Sequence, residues 1–120
     1  MLFRSGAKGE SFVFGLPGNP LAAYVCTLRL ASRLLSRMSG GNADDLAPLR
    51  RATLSEPLPA NGPREFYQPA AFDPARKSVR PLAWKGSADI YTLAAAGALI
   101  VRPENAPAAA AGDAIDVLEV

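Results

Sequence analysis

The fold of this chain is decided by the stretch Phe12–Pro20, which has the sequence FVFGLPGNP and joins an apolar segment to a helix. Its first three residues are aromatic or β-branched, which is typical of a buried strand. Gly15 and Gly18 permit close backbone approach, while Asn19 suits the N-cap position and Pro20 the first helical position. The stretch therefore predicts a strand, a stiff turn and a capped helix, with backbone N–H groups available to an anion such as phosphate.

The helix that follows is predicted to run from Pro20 to about Met38. Its apolar residues share one broad face at helical spacing. These residues are Leu21, Tyr24, Val25, Leu28, Ala31, Leu34, Leu35 and Met38. A stripe of three arginines, Arg29, Arg33 and Arg37, is predicted to form a solvated face, with Cys26 partly exposed beside it. The glycines after Ser39 are expected to end the helix.

The first residues are predicted to form a hairpin. Leu2-Phe3 and Phe12–Phe14 are its expected strands, and residues 5–10 have the composition of a turn. After a linker at Ala43–Pro48 the pattern changes to short strands separated by Pro and Gly, which indicates an all-β region. The predicted strands are Arg50–Leu54, Arg64–Phe72, Ser78–Leu82, Ala98–Val101 and Ala114–Val120.

Two further features of the all-β region can be predicted. The segment Asp73–Lys77 is a turn, so the strands on either side should pair antiparallel. Pro69 lacks an amide hydrogen and is expected at an edge or a bulge. A short helix is predicted over 87–97, with Ser87 as its N-cap and Gly97 beyond its end.

Composition narrows the function classes. The 120 residues suffice for one ordinary domain or two small ones, and a formal charge of +2 is too small to indicate a nucleic-acid partner. One cysteine and no histidine exclude an intramolecular disulfide, a cysteine-built zinc site and histidine chemistry. No segment has the length of a membrane span or the character of a signal peptide. We expect a soluble, cytoplasmic protein without a membrane partner.

The hexapeptide Gly15–Pro20 resembles the loop of the molybdopterin molybdenumtransferases, the MoeA and gephyrin E-domain family, which insert molybdate into adenylylated molybdopterin. The second half of the chain is also similar to this family. The motifs that carry this similarity are Arg64-Glu65-Phe66, Gly86-Ser87, Leu99–Pro103 and the closing segment Ala111–Val120. The resemblance covers nearly the whole chain, in order.

The resemblance implies an α+β chain with two parts. Residues 1–44 would be the C-terminal strand–helix end of an α/β molybdopterin-binding domain, and 45–120 a small all-β, barrel-like domain. The family's Ser-Gly-Gly and Lys-Pro-Gly-Lys-Pro motifs are not in this sequence. The chain is therefore expected to be a C-terminal fragment that is inactive alone.

The resemblance also implies a ligand site. Its ligands would be adenylylated molybdopterin and molybdate, with Mg²⁺ assisting, and the family forms homodimers. The residues carried over to the site are Gly15, Pro17, Gly18, Asn19, Pro20 and Ser87. Groups of this kind position and stabilise charge, so no catalytic residue and no metal ligand is assigned.

Two departures from the family pattern bear on that site. Ala22 stands where the family usually has a serine, and Gln68 stands where members often have an arginine, which removes a guanidinium fork for an oxyanion. A second interpretation is a non-catalytic binding or dimerisation module with no small-molecule chemistry. A third is a barrel with a stacking platform for nucleic acid. That platform would consist of Phe66, Tyr67, Phe72 and Trp84.

Overall fold

The computed structural model describes residues 4–9, 11–86 and 88–120, and the chain divides into two compact units. The first unit runs up to Ala47 and includes the later segment Lys85–Ile90. The second unit comprises Pro48–Trp84 and Tyr91–Val120. Whether the functional domains divide at residues 44 and 45 stays a prediction.

A two-stranded hairpin opens the first unit. Strand β1 (Arg4–Lys8) pairs antiparallel with β2 (Ser11–Gly15), and Lys8 lies opposite Ser11. Gly9 has a φ of 62°, which suits a tight hairpin turn because glycine tolerates this region. The predicted position of the first strand was wrong, because residues 5–8 belong to β1 rather than to the turn. The predicted strand Leu2-Phe3 lies outside the described residues.

The predicted helix begins and ends where expected, but its central turn is π-helical. Helix α1 (Pro20–Cys26) continues through a π-helical segment (Thr27–Ala31) into α2 (Ser32–Met38). At the end of the π-helical segment the amide of Ser32 donates to the carbonyl of Thr27, five residues earlier. This wider turn rotates every later side chain relative to a regular helix.

Burial along the helix therefore follows the predicted apolar face only in its first half. Leu21 and Val25 are buried, whereas the exposed fractions of Leu35 and Met38 are 62% and 63%. Cys26 is buried with only 4% of its surface exposed, so its predicted partial exposure was wrong. The change follows the π-helical segment, where the spacing of 3.6 residues per turn does not hold, and Tyr24 on the predicted face is already 37% exposed before it.

The helix ends as its glycines predict. Gly40 adopts a φ of 80°, and the amide of Gly41 donates to the carbonyl of Ser36 at 2.8 Å. This six-to-one hydrogen bond and left-handed glycine form a Schellman cap. A short 3₁₀ turn, Ala43–Asp45, follows at once, so the predicted linker is partly structured.

The second unit is a closed five-stranded barrel with the strand order β3-β5-β4-β6-β7. Its strands are β3 (Leu49–Leu54), β4 (Phe66–Asp73), β5 (Ser78–Pro81), β6 (Ala98–Arg102) and β7 (Ala114–Glu119). All neighbouring pairs are antiparallel except β3 and β5, which are parallel. The five predicted strands and the antiparallel pairing across the Asp73–Lys77 turn are confirmed. Helix α3 (Ile90–Ala95) lies between β5 and β6 in the chain.

The barrel interior is filled by small and branched apolar side chains. Leu54, Val79, Ile100 and Val117 have no exposed surface, and burying a side chain of this size contributes about 1.5–3 kcal/mol. Alanines complete the core at Ala52, Ala70 and Ala98, because a barrel of only five strands has a narrow interior. All five residues of β6 are buried, so this strand is covered on both faces.

Pro69 lies in an interior strand of the barrel, where it is fully buried and opposite Leu99. The prediction of an edge or a bulge was therefore wrong, because the barrel is closed and the register with β6 continues through Pro69, but the pairing explains why proline is tolerated. The carbonyl of Pro69 accepts from the amide of Leu82, one residue beyond the last registered pair between β4 and β5. The missing amide hydrogen of Pro69 therefore falls where that ladder ends and costs one terminal hydrogen bond.

Candidate functional site

The loop between β2 and α1 is held by the side chain and the backbone of Asn19. Its Oδ1 atom accepts from the amide of Ala22 at 3.2 Å, and its carbonyl accepts from the amide of Ala23 at 2.8 Å. Pro20 occupies the first helical position. The predicted N-cap is confirmed in both respects, and it fixes the direction in which the loop enters the helix.

The loop offers fewer free donors than a bare helix N-terminus. Pro17 and Pro20 have no amide hydrogen, and the cap uses the two amides of the first turn described above. Among the residues that the structure describes, the amides of Gly18, Asn19 and Leu21 have no hydrogen-bond acceptor. Gly18 is exposed and Asn19 half-buried. These three unpartnered donors lie near the positive end of the helix dipole, and of the three residues Leu21 is only 6% exposed.

Gly18 has no conformational or packing reason to be glycine within the described chain. Its φ is not in the left-handed region, and a Cβ built on it would meet no described atom within 4 Å. Alanine would therefore fit without strain. What glycine provides at this position is an uncovered stretch of backbone next to the free amides.

Ser87, the last residue assigned to the site, lies outside the described residues. The segment that contains it, Lys85–Ile90, belongs to the same compact unit as the Gly15–Pro20 loop. Gly86 adopts a φ of 114°, and the Asp89 carboxylate accepts from the amide of Lys85 at 3.2 Å. Helix α3 begins at Ile90, so the residue before its first turn is Asp89 rather than the predicted Ser87.

The two departures from the family pattern have clear places in the fold. Ala22 is 8% exposed in the first turn of α1. Gln68 is half-buried in β4 opposite Ile100. Along β4 it alternates with Pro69 and shares a face with Ala70, which belongs to the barrel core. Strand β4 therefore carries a neutral amide towards the barrel interior at this position.

The predicted aromatic platform for nucleic acid is not assembled. The rings of Phe66 and Trp84 meet with centroids 5.5 Å apart and a tilt of 46°. Tyr67 is buried, and Phe72 packs against the barrel core. At most two of the four rings are therefore placed to stack on a base.

No reactive group stands out among the described residues. Burial raises the pKa of the Cys26 thiol, which disfavours the nucleophilic thiolate. The described part of the chain contains no cluster of three acidic, histidine or cysteine side chains that could hold a metal ion. No described helix is long and apolar enough to span a bilayer.

Sequence reasoning missed a buried arginine that joins two loops of the barrel. Arg102 is 5% exposed, and its Nη2 atom donates to the carbonyls of Pro59 and Pro107 at 2.9 and 2.6 Å. The side chain of Asn61 donates to the carbonyl of Pro103 at 2.6 Å between the same loops. No local pattern predicts the bond from Arg102 to Pro59 or the bond from Asn61 to Pro103, because each joins residues more than 40 positions apart.

The comparisons with known proteins concern the whole chain. The family model of the MoeA C-terminal region (domain IV) matches residues 51–120. No curated protein sequence matches the chain.

Solved structures share the fold. A MoeA molybdopterin biosynthesis protein from Pyrococcus horikoshii OT3 superposes with a TM-score of 0.73 at 18% identity, over 97% of this chain and 29% of its own. Another molybdopterin biosynthesis MoeA structure from Pyrococcus horikoshii gives a TM-score of 0.76 at 22% identity, over 98% of this chain and 28% of its own. A molybdenum cofactor biosynthesis protein from Pyrococcus furiosus gives 0.72 at 21% identity, over 89% and 38%. The chain thus spans well under half the length of these structures. Since the family model covers more than half of its residues, the chain belongs to the MoeA family of molybdenum cofactor biosynthesis.

Proposed function

We propose that this chain is the C-terminal part of a molybdopterin molybdenumtransferase and helps to hold the substrates of molybdate insertion. Residues 1–44 would complete the molybdopterin-binding domain, and 45–120 supply the terminal barrel. The observation that carries the proposal is the loop Gly15–Pro20, whose free amides and uncovered Gly18 occur in a chain with a MoeA barrel.

The proposed role of the loop is to bind a phosphate oxygen of adenylylated molybdopterin. The amides of Gly18, Asn19 and Leu21 donate, and the helix dipole favours a negative charge beside them. Gly15, Pro17 and Pro20 hold the loop in shape, and the family resemblance alone assigns a hydroxyl contribution to Ser87. Molybdate is a substrate of the proposed reaction. The described residues do not fit a Mg²⁺ site, so no step of this chain is assigned to that ion.

Ligand binding tests the role of the loop. Gly18→Val places a branched side chain over the free amides, and it should weaken the binding of molybdopterin at least severalfold in an equilibrium titration. Gly62→Val is the matched control, because Gly62 also has open space around its Cβ and no left-handed φ. Equal affinities for the two variants, at unchanged stability, would contradict the proposed site.

Catalysis by the isolated chain provides a second test. The loop positions charge and supplies no nucleophile or base, so we expect the chain alone not to insert molybdenum. Incubation with adenylylated molybdopterin, molybdate and Mg²⁺ should yield no active cofactor. Turnover above background by the purified 120 residues would show that the missing upstream motifs are dispensable.

A second candidate function, self-association, is favoured by the apolar surface of the first unit. Leu35 and Met38 in α2 and Phe12 and Val13 in β2 are each more than half exposed. Removing such surface from water contributes roughly 25 cal/mol per Å², so a homodimer through α2 is the expected state.

Sedimentation velocity across the micromolar range tests the dimer. Leu35 is the residue to substitute, because Leu28 in the π-helical segment is already half-buried within the monomer. Leu35→Asp should shift a dimer towards monomer. Tyr91→Asp is the control, since Tyr91 is 84% exposed in the other unit. A clean monomer for the unsubstituted chain would rule out this function.

A further inference from the structure

Two arginines of the helix bind the segment that follows it. Arg33 Nη2 lies 2.7 Å from Asp44 Oδ1, and Arg29 Nη1 lies 3.4 Å from the carbonyl of Ala47. We call the segment Asn42–Ala47 the strap. These contacts correct the prediction of a solvated arginine stripe, because only Arg37 of the three has no ion pair or side-chain hydrogen bond among the described residues.

The strap has weak support of its own. Its two 3₁₀ hydrogen bonds, from Asp45 to Asn42 and from Leu46 to Ala43, measure 3.3 and 3.4 Å, which is long for such bonds. Ala47 has a φ of 45°, a left-handed conformation that alanine adopts only under constraint. Its firmest apolar anchor is Ala43, which is 3% exposed but small. Asn42 Oδ1 also accepts from the amide of Asp44 at 3.1 Å within the strap, whereas the arginine contacts join the strap to the helix.

We propose that the strap is an ionic latch that opens as ionic strength rises. The Arg33 and Asp44 side chains are 35% and 74% exposed, so salt reaches the pair. The Debye length falls from about 10 Å at 0.1 M to about 3 Å at 1 M salt, which weakens such exposed pairs. Closed, the latch fixes the chain just before Pro48. Open, it frees the backbone of residues 42–47.

Amide hydrogen exchange measured by NMR on the intact chain tests the latch. The probes are the amides of Asp45 and Leu46, whose hydrogen bonds lie within the strap and whose exchange rates report on its opening. In Arg33→Ala we expect their exchange to accelerate about two- to fivefold at low salt, the range expected for an exposed ion pair. Salt should accelerate exchange in the unsubstituted chain and have little effect in Arg33→Ala.

Arg37→Ala is the matched control, because it removes an arginine of the same helix that does not touch the strap. The amide of Gly41, which bonds to Ser36 in the helix cap, reports whether the helix itself frays. The proposal is supported if only Arg33→Ala accelerates the strap amides while Gly41 is unchanged. Unchanged exchange in Arg33→Ala, an equal effect of Arg37→Ala, or a parallel acceleration of Gly41 would each overturn it.

Discussion

Replacing Arg102 with methionine should destabilise the barrel by about 1–3 kcal/mol. The guanidinium makes two hydrogen bonds, to the carbonyls of Pro59 and Pro107, and a bond to a charged group contributes about 1.5–3 kcal/mol. Their loss alone would cost about 3–6 kcal/mol. Methionine keeps much of the apolar stem and removes the desolvation penalty of a buried charge, which offsets several kcal/mol of that loss.

Urea unfolding followed by tryptophan fluorescence measures this change. Trp84 is the single tryptophan, and it lies against Phe66 in the barrel unit, so its emission reports on the barrel. With a slope of about 1–3 kcal/mol per molar urea, the midpoint should fall by roughly 1 M. The urea midpoint of Arg102→Lys should lie between those of the unsubstituted chain and Arg102→Met, because a lysine keeps the charge but not the planar fork.

Arg80→Met is the control for this measurement, because Arg80 is an exposed barrel arginine with no ion pair among the described residues. Its effect should stay within about 0.5 kcal/mol, as for most surface substitutions. If Arg102→Met shifts the midpoint no more than Arg80→Met at equal slope, the reasoning is refuted. The loops would then be held by other contacts, such as the bridge between Leu58 and Ala109.

Two smaller predictions concern the first unit. Asn19→Ala removes the side-chain cap on the amide of Ala22 and should lower the free energy of unfolding of the helix by about 1 kcal/mol, measured by circular dichroism in urea, whereas Asn19→Asp should retain most of it. An equal loss in both variants would argue against the cap. Burial raises the pKa of the Cys26 thiol, so alkylation of the native chain near neutral pH should be much slower than in denaturant. As pH rises, the Cys26 thiol ionises in the unfolded chain before it ionises in the folded chain, so its contribution to stability should be lost above the ordinary thiol pKa. Cys26→Ala should remove that pH dependence.

Local chemistry determined several features of this protein from its sequence alone. Asn19 and Pro20 fixed the start of the helix, and the glycines after Ser39 fixed its end. Asp73 begins the turn between β4 and β5, where its carboxylate accepts from the amides of Ala75 and Arg76. Each of these signals acts within about five residues, so the sequence contains everything needed to predict it.

The proposed binding loop was selected from the sequence because it is a short contiguous motif. The number of free hydrogen-bond donors in this loop could not be predicted from the sequence. The cap and the two prolines consume or remove most of the donors that a helix N-terminus would otherwise present, and only the assembled turn shows that the amides of Gly18, Asn19 and Leu21 remain.

Tertiary structure alone decided the remaining features. Closure of the barrel requires β3 to pair with β7 antiparallel and with β5 parallel, and the first of these pairings joins residues more than 60 positions apart. The burial of Arg102 and the tolerance of Pro69 depend on which strands become neighbours. No local pattern predicted the π-helical segment or the exposure of Leu35 after it. In each case the deciding contact is distant in sequence or depends on packing, so patterns of neighbouring residues cannot report it.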